Sequence, residues 1–342
     1  MATVCTAREK WAAAAAQAAA ARRQIVRQEW VHAGERPSPA LTRILAPPKG
    51  ARSVCGLRDS NGRVIVEQPA LAGLVAKTWA AVSVRPHADR SAVDTVLAAL
   101  SNSPCLPEGE AEALGCISVP LEQVSRALKT TPAGRSPGLD GIPSLLYRRL
   151  GKPLHALLAR MFSAIGALQR TPLGFLDGAI SIMHKQGDRA EAANYRPITL
   201  LNTDYRLLAK VLANRLQPLL PSVIDRSQLA FVRGRLIGEA VMLMQALPAW
   251  LQLNRSSAVA VLCDFAKAFD TVDRTFLLAV LEKLGMGEGF IVWVSTLLRH
   301  TRACAVVNGF RSNFEPFYAG VRQGCPLAPM LYLFVGQAML QW

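Results

Sequence analysis

The sequence has no run of the ~20 apolar residues that a helix needs to cross a bilayer core, so no membrane segment explains its hydrophobic fraction of 51%. It has no Cys-x-x-Cys pair. Its seven cysteines are scattered at 5, 55, 105, 116, 263, 304 and 325, and its five histidines do not gather around them. That spacing argues against a zinc site, and an odd, dispersed set suits buried thiols in a reducing compartment better than a disulfide framework. Acidic residues are scarce beside basic ones, 24 Asp and Glu against 39 Lys and Arg, a net charge of +15. With no membrane segment to account for it, this surplus points to a polyanionic partner rather than to solubility alone. Charged residues make up only 18% of the chain, which excludes a globally disordered polyelectrolyte.

What is present begins with an alanine-rich segment, residues 7–30, read as a surface helix rather than a transit peptide because Arg22, Arg23 and Arg27 follow the alanines. A proline-rich stretch at 36–49 breaks it. Apolar residues 54–57 and 64–66 flank an Asn61-Gly62 turn, a hairpin signal. Residues 70–82 read as helix and 85–116 as a mixed boundary region. Helices are expected at 120–128, from Pro143 onward, at 154–168, and from Asp204 as a cap, with Leu208, Val211, Leu212, Leu216 and Leu219 on one face. A short strand is expected at 179–183. The β-branched run Ser257–Cys263 reads as a buried strand, followed by helices at 274–284 and 290–298. A hairpin is expected between 303–307 and 314–318, and a last helix at 329–340.

Three segments carry chemistry. In VAVLCDFAKAFD the expected strand delivers Asp264 at its end. Two-metal nucleotidyl transfer needs such a carboxylate on a rigid element, and the ring of Phe269 beside it would clash with a ribose 2′-hydroxyl. An ordinary loop Asp with Phe269 in the core is the competing reading. In AGVRQGCPLAP the glycines and prolines force a tight loop on which Gln323 and Gly324 could meet a nucleotide or base pair; a plain turn before a helix is the alternative. Between IMHKQGD and NYRPITLLN, Lys185 and Arg196 flank a polar turn and could neutralise a triphosphate; solvated surface charge is the alternative. No one segment decides between its two readings.

Taken together and in order, these segments resemble the reverse transcriptase of non-LTR (LINE-type) retrotransposons. SPGLDGIPSLLYRRL, NYRPITLLNTDYRLLAKVLANRL, SQLAFVRGR, DFAKAFD and GVRQGCPLAP are similar to successive motifs of that family, and WVHAGERPSPA and GLRDSNGRVI to the region before its polymerase. Intron-encoded and telomerase-type polymerases share the fold, but the pattern around residues 194–212 is nearer the LINE type. The resemblance implies an α+β fold: the fingers of a right-hand polymerase at about 117–253, with a return at about 301–318. A partial palm starts at the strand before Asp264, the thumb is absent, and residues 1–116 form an extension. It implies Asp264 and the carbonyl of Phe265 as ligands of Mg²⁺, Phe269 as sugar gate, Lys185 and Arg196 on the triphosphate, and Gln323 and Gly324 lining the nucleotide and template pocket. Asp140, Gly141 and Asp270 mark motifs. It implies an RNA template, a DNA primer and dNTPs as partners, no membrane, no readable protein partner, and action in the nucleus or cytoplasm.

The sequence departs from the family pattern at His184 and Ala328, commonly Pro and Ser, and contains no aromatic-Ala-Asp-Asp segment, which supplies the second metal-binding carboxylate. These 342 residues are therefore expected to be inactive alone. A non-catalytic RNA- or DNA-binding remnant, or a chain that aggregates around an uncovered sheet edge, are the alternatives.

Overall fold

The structure is a computed structural model that describes residues 53–84, 89–132 and 134–342. The expected alanine-rich helix, proline-rich stretch and WVHAGERPSPA segment lie outside the described residues. Residues Cys55–Trp342 form one compact unit.

In chain order the elements are β1 (Leu57–Arg58), β2 (Val64–Ile65), α1 (Gln68–Val82), α2 (Arg90–Ala99), α3 (Glu108–Gly115), α4 (Leu121–Thr130), α5 (Ser144–Leu168), β3 (Asp177–His184), β4 (Tyr195–Leu201), α6 (Thr203–Leu216), α7 (Ile237–Leu253), α8 (Arg274–Lys283), α9 (Glu288–Leu298), β5 (Arg302–Val307), β6 (Phe310–Arg311), β7 (Glu315–Pro316) and α10 (Ala328–Gln341). The mixture of helix and sheet is consistent with an α+β reverse-transcriptase fold.

The main sheet runs β4-β3-β5-β6, with β7 on β5. β3 and β4 are antiparallel, with Met183 opposite Arg196. β5 returns from far along the chain to lie parallel to β3, with Asp177 opposite Arg302. A two-pronged ion pair closes that register, Arg302 Nε to Asp177 Oδ1 at 2.7 Å and Nη2 to Oδ2 at 2.9 Å. The expected strand at 314–318 is shorter than the sequence suggested. β5 turns through Asn308-Gly309 into β6, and only Glu315–Pro316 pairs beyond it.

The core sits under the helices. The face expected on α6 is buried: Leu208, Val211, Leu212 and Leu216 are at most 1% exposed. Each such side chain contributes about 1.5–3 kcal/mol on burial. Arg215 on this helix reaches the carbonyls of Cys116 and Ser118 and the Gln123 side chain, tying α6 to the start of α4. Asp204 does not cap α6. The cap position is Asn202, and the Asp204 carboxylate instead accepts from the Tyr205 amide one residue on. The two helices expected from Pro143 and at 154–168 are the two arms of α5, parted at Gly151, whose φ of 67° and ψ of −154° are not helical. The region 85–116 holds α2 and α3, whose apolar faces were diluted by Ser, Glu and Pro.

Two findings overturn the sequence expectations. Residues 257–263 do not form a buried strand: they are irregular and exposed, with Val259 at 89% and Leu262 at 89%. A β-run needs a ladder partner to satisfy its backbone, and none of the described strands lies beside it. Just before it, Ile237–Leu253 forms a helix that the sequence reading did not identify, and none of its residues is buried although it reads IGEAVMLMQALPAWLQL.

Candidate nucleotide and nucleic-acid site

The loop 319–324 is sewn to two neighbours. On one side Val321 N donates to Phe269 O at 2.8 Å and Gly320 N to Val272 O at 2.7 Å. On the other, Thr199 N on β4 donates to Gln323 O at 2.9 Å. Glycine is required at both contacts: a Cβ at Gly320 would stand 2.6 Å from Asp270 O, and one at Gly324 would stand 2.4 Å from Thr199 O. Both also have φ in the left-handed range, 82° and 116°. The bare Cα of Gly324 thus packs against the β4 backbone.

The Gln323 side chain donates Nε2 to Asp270 Oδ2 at 2.8 Å. Asp270, read from sequence only as a motif marker, thus holds Gln323. Burial pushes its carboxyl up to about 6, against the opposing pulls of Gln323 and Lys267. Phe269 stacks on Tyr332 of α10, ring centres 4.8 Å apart. Burial raises the Tyr332 hydroxyl, and the Asp264 charge raises it further, which puts the two in the same neighbourhood.

Asp264 itself stands on the exposed irregular segment, beside a Phe265 that is 54% exposed. The expected strand end is missing because the strand is missing. Lys185 and Arg196 are both exposed. Strand alternation puts them on one face, since Arg196 pairs with Met183, two residues before Lys185. The tip that carries Lys185 is braced by the β1–β2 hairpin: Arg58 pairs with Glu191 at 2.7 Å and Asp188 at 3.3 Å. Asp140 and Gly141 form a turn on the start of α6, where Asn202 Oδ1 accepts from Asp140 N and Thr203 Oγ1 donates to Ile142 O at 2.6 Å.

Three contributors escaped the sequence reading. Arg274, the first residue of α8, donates to the carbonyls of Leu298, Phe317, Ala319 and Gly320 at 2.7–3.0 Å. Burial first, and then the Arg322 charge, lower its pKa to about 10. Ser83, at the end of α1, is buried and accepts from the amides of Tyr318 and Ala319 through its carbonyl. Arg322 lies over the Tyr205 ring at 4.5 Å and donates to Leu176 O. Among these, only Arg322 had a signal, its place inside the GVRQGCP motif; the other two act through backbone carbonyls and amides that no pattern announces.

Residues 183–342 match the family described as reverse transcriptase (RNA-dependent DNA polymerase). The motifs that meet in the loop, on β4 and at Phe269–Asp270 all fall inside that stretch. Over these residues the chain is similar to the reverse transcriptases of LINE-type retrotransposons. Over 218 residues, 63% of the chain, it is 33% identical to a "Transposon TX1 uncharacterized 149 kDa protein" of Xenopus laevis, covering 16% of that protein. It is 26% identical to the "RNA-directed DNA polymerase from mobile element jockey" of Drosophila melanogaster over 63% of the chain and 24% of that protein. To the "Retrovirus-related Pol polyprotein from type-1 retrotransposable element R2" of Popillia japonica it is 28% identical over 58% of the chain and 27% of that protein. The matched stretch thus spans about a sixth to a quarter of the length of these relatives.

Proposed function

We propose that these residues are the fingers and the first part of the palm of a retrotransposon RNA-directed DNA polymerase, preceded by an extension. In the cell that polymerase would extend a DNA primer on an RNA template in the nucleus, with assembly in the cytoplasm. The observation that carries this reading is the joining of the Phe269–Val272 backbone, the 319–324 loop and β4 into one continuous floor. On it, Lys185 and Arg196 would neutralise the triphosphate of a dNTP, Phe269 would exclude a 2′-hydroxyl, and Gln323 and Gly324 would support the nascent base pair. Asp264 and the carbonyl of Phe265 would be ligands of the divalent ion, for which Mg²⁺ is expected.

The donor set does not fit that ion. Among the described residues no three His, Cys, Asp or Glu side chains come together. Asp264 is on an exposed, irregular segment, whereas a two-ion centre holds its ions ~3.5–4 Å apart on rigid carboxylates. These 342 residues alone would then bind nucleic acid without incorporating nucleotides. The test is a labelled primer on an RNA template, offered to the chain with dNTPs and Mg²⁺. Salt-sensitive retention without extension is expected. Primer extension would refute the inactivity, and no retention at any salt would refute the polymerase reading itself. The basic balance of +15 supports a second reading, a non-catalytic binder of RNA or DNA. It is distinguished by tight binding that does not prefer a primed template.

A further inference from the structure

The segment between α6 and α7 has no role in the reading above. Residues 226–235 contain three arginines and no acid. At their centre Phe231 is 55% exposed and has a φ of 60°. A bulky side chain at that φ is a genuine outlier, and an outward-facing ring exposes apolar surface as well. The next residue, Val232, is buried at 4% and anchors the turn to the core, so the ring turns outward while its neighbour turns in.

The segment is held in this shape from two sides. Arg235 donates to the carbonyls of Ile224, Asp225 and Gln228. Gln337, buried in α10, accepts from the Asp225 amide at 2.8 Å. The Asp225 carboxylate is occupied by the amide and hydroxyl of Ser227. That leaves Arg226 and Arg233 as exposed cations, with no carboxylate partner among the described residues. Backbone strain that persists because its surroundings over-determine it is a pointer to function. An exposed ring on a segment that also carries two unpaired guanidinium groups is the chemistry of a base-stacking platform: every unpaired base has a π-face, and cations on the same segment can neutralise its phosphates.

We propose that Phe231 is a stacking platform for an unpaired base of a single-stranded nucleic acid, with Arg226 and Arg233 on the adjoining phosphates. This rests on the nucleic-acid reading of the preceding section. Exposed Leu236 and Ile237 next to it offer the rival occupant, a protein surface. The absence of any acid among residues 226–235 favours the polyanion.

The test is fluorescence anisotropy of the full chain with labelled oligo(U), oligo(dT) and a duplex across a salt series, with self-association followed by sedimentation. Phe231→Ala is expected to weaken single-strand binding by about 5- to 100-fold, the range of one stacked base, and to leave the duplex and the salt slope unchanged. Loss on both oligomers, or on one alone, supports the platform and tells RNA from DNA. Phe231→Trp is expected to hold affinity. Phe231→Gly relieves the strained φ, so it should melt above Phe231→Ala yet bind as weakly, which separates the ring's role from folding. Arg226→Ala with Arg233→Ala should make the salt slope shallower by about one to two. Unchanged affinity in Phe231→Ala, beside persisting salt-dependent binding by the wild type, would overturn the platform and leave the polymerase reading standing. Altered self-association with unchanged affinity would overturn it in favour of a protein surface. No binding by the wild type at low salt would overturn both.

Discussion

Replacing Asp270 by Asn should make the chain more stable at neutral pH. Burial raises the Asp270 carboxyl from 3.8 to about 6, while Gln323 and Lys267 pull the other way; Arg274 and Arg322 line the same small cavity. A folded-state pKa above the unfolded value means that the folded chain holds the proton longer. The group's favourable contribution is thus full below about pH 4, is lost as pH rises towards about 6, and stays lost above. Roughly two units at 1.36 kcal/mol each set a ceiling of about 3 kcal/mol, and partial solvent access reduces this to about 1–2 kcal/mol. Asn has no proton to lose and keeps an oxygen for Gln323 Nε2, so the hydrogen bond survives. Urea unfolding followed by circular dichroism, at steps from about pH 4 to 7.5, reads this directly. Asp270→Asn should exceed the wild type by about 1–2 kcal/mol at pH 7.5, and the two should converge near pH 4. A constant difference across that range, or a less stable variant at neutral pH, would refute the account of Asp270 as a carboxylate held against burial.

Arg274→Met removes the donor to four carbonyls; the lost charged hydrogen bonds, partly offset by relief of a cation whose pKa burial has lowered to about 10, should cost about 2–4 kcal/mol in the same unfolding measurement. Gly324→Ala places a Cβ 2.4 Å from Thr199 O and should cost about 1–3 kcal/mol, measured as a fall in the urea midpoint. By contrast Asp264→Ala, on an exposed segment and with no hydrogen-bond or ion-pair partner among the described residues, should change stability by less than about 0.5 kcal/mol and leave salt-dependent RNA binding intact; a larger effect on either would show that the carboxylate already has a structural role. Arg302→Ala breaks an exposed ion pair with Asp177 and should cost no more than about 1 kcal/mol in a thermal melt.

The sequence was most informative where a pattern is local. The α6 face, the Asn61-Gly62 hairpin and the tight loop around Gly324 follow from periodicity and turn chemistry within a few residues. The parallel pairing of β3 with β5 is different in kind. It joins Asp177 to Arg302, across a separation of 125 residues that no local pattern reports. At the site, Lys185, Arg196, Phe269, Gln323 and Gly324 were legible as types, but their connections were not. Asp270 appeared as a marker and is the partner of Gln323. Ser83 and Arg274 act on backbone groups of the 317–320 segment, so no side-chain constellation signals them. The helix α7 was passed over because it is apolar on all sides and has Pro248 inside, which blurs the usual stripe.

The failed strand at 257–263 says the most about chemistry. Its composition suits a buried strand: Val259, Val261 and Leu262 are apolar, and all three are more than three-quarters exposed. Beside it in sequence, α7 also buries nothing. Propensity for a strand is realised only by pairing and cover, so this run has the residues of a strand without the surroundings of one. Asp264 inherits that state. A metal-binding carboxylate works by being fixed within about half an ångström, and Asp264 ends a segment that no ladder fixes. The floor formed by the 319–324 loop and β4 is by contrast already bonded on both sides. The contacts of the 319–324 loop with β4 and with Phe269–Val272 thus do not depend on the 257–263 run. Adding a segment that pairs with this run should order it and fix Asp264 without altering the contacts of Gln323 or Gly324.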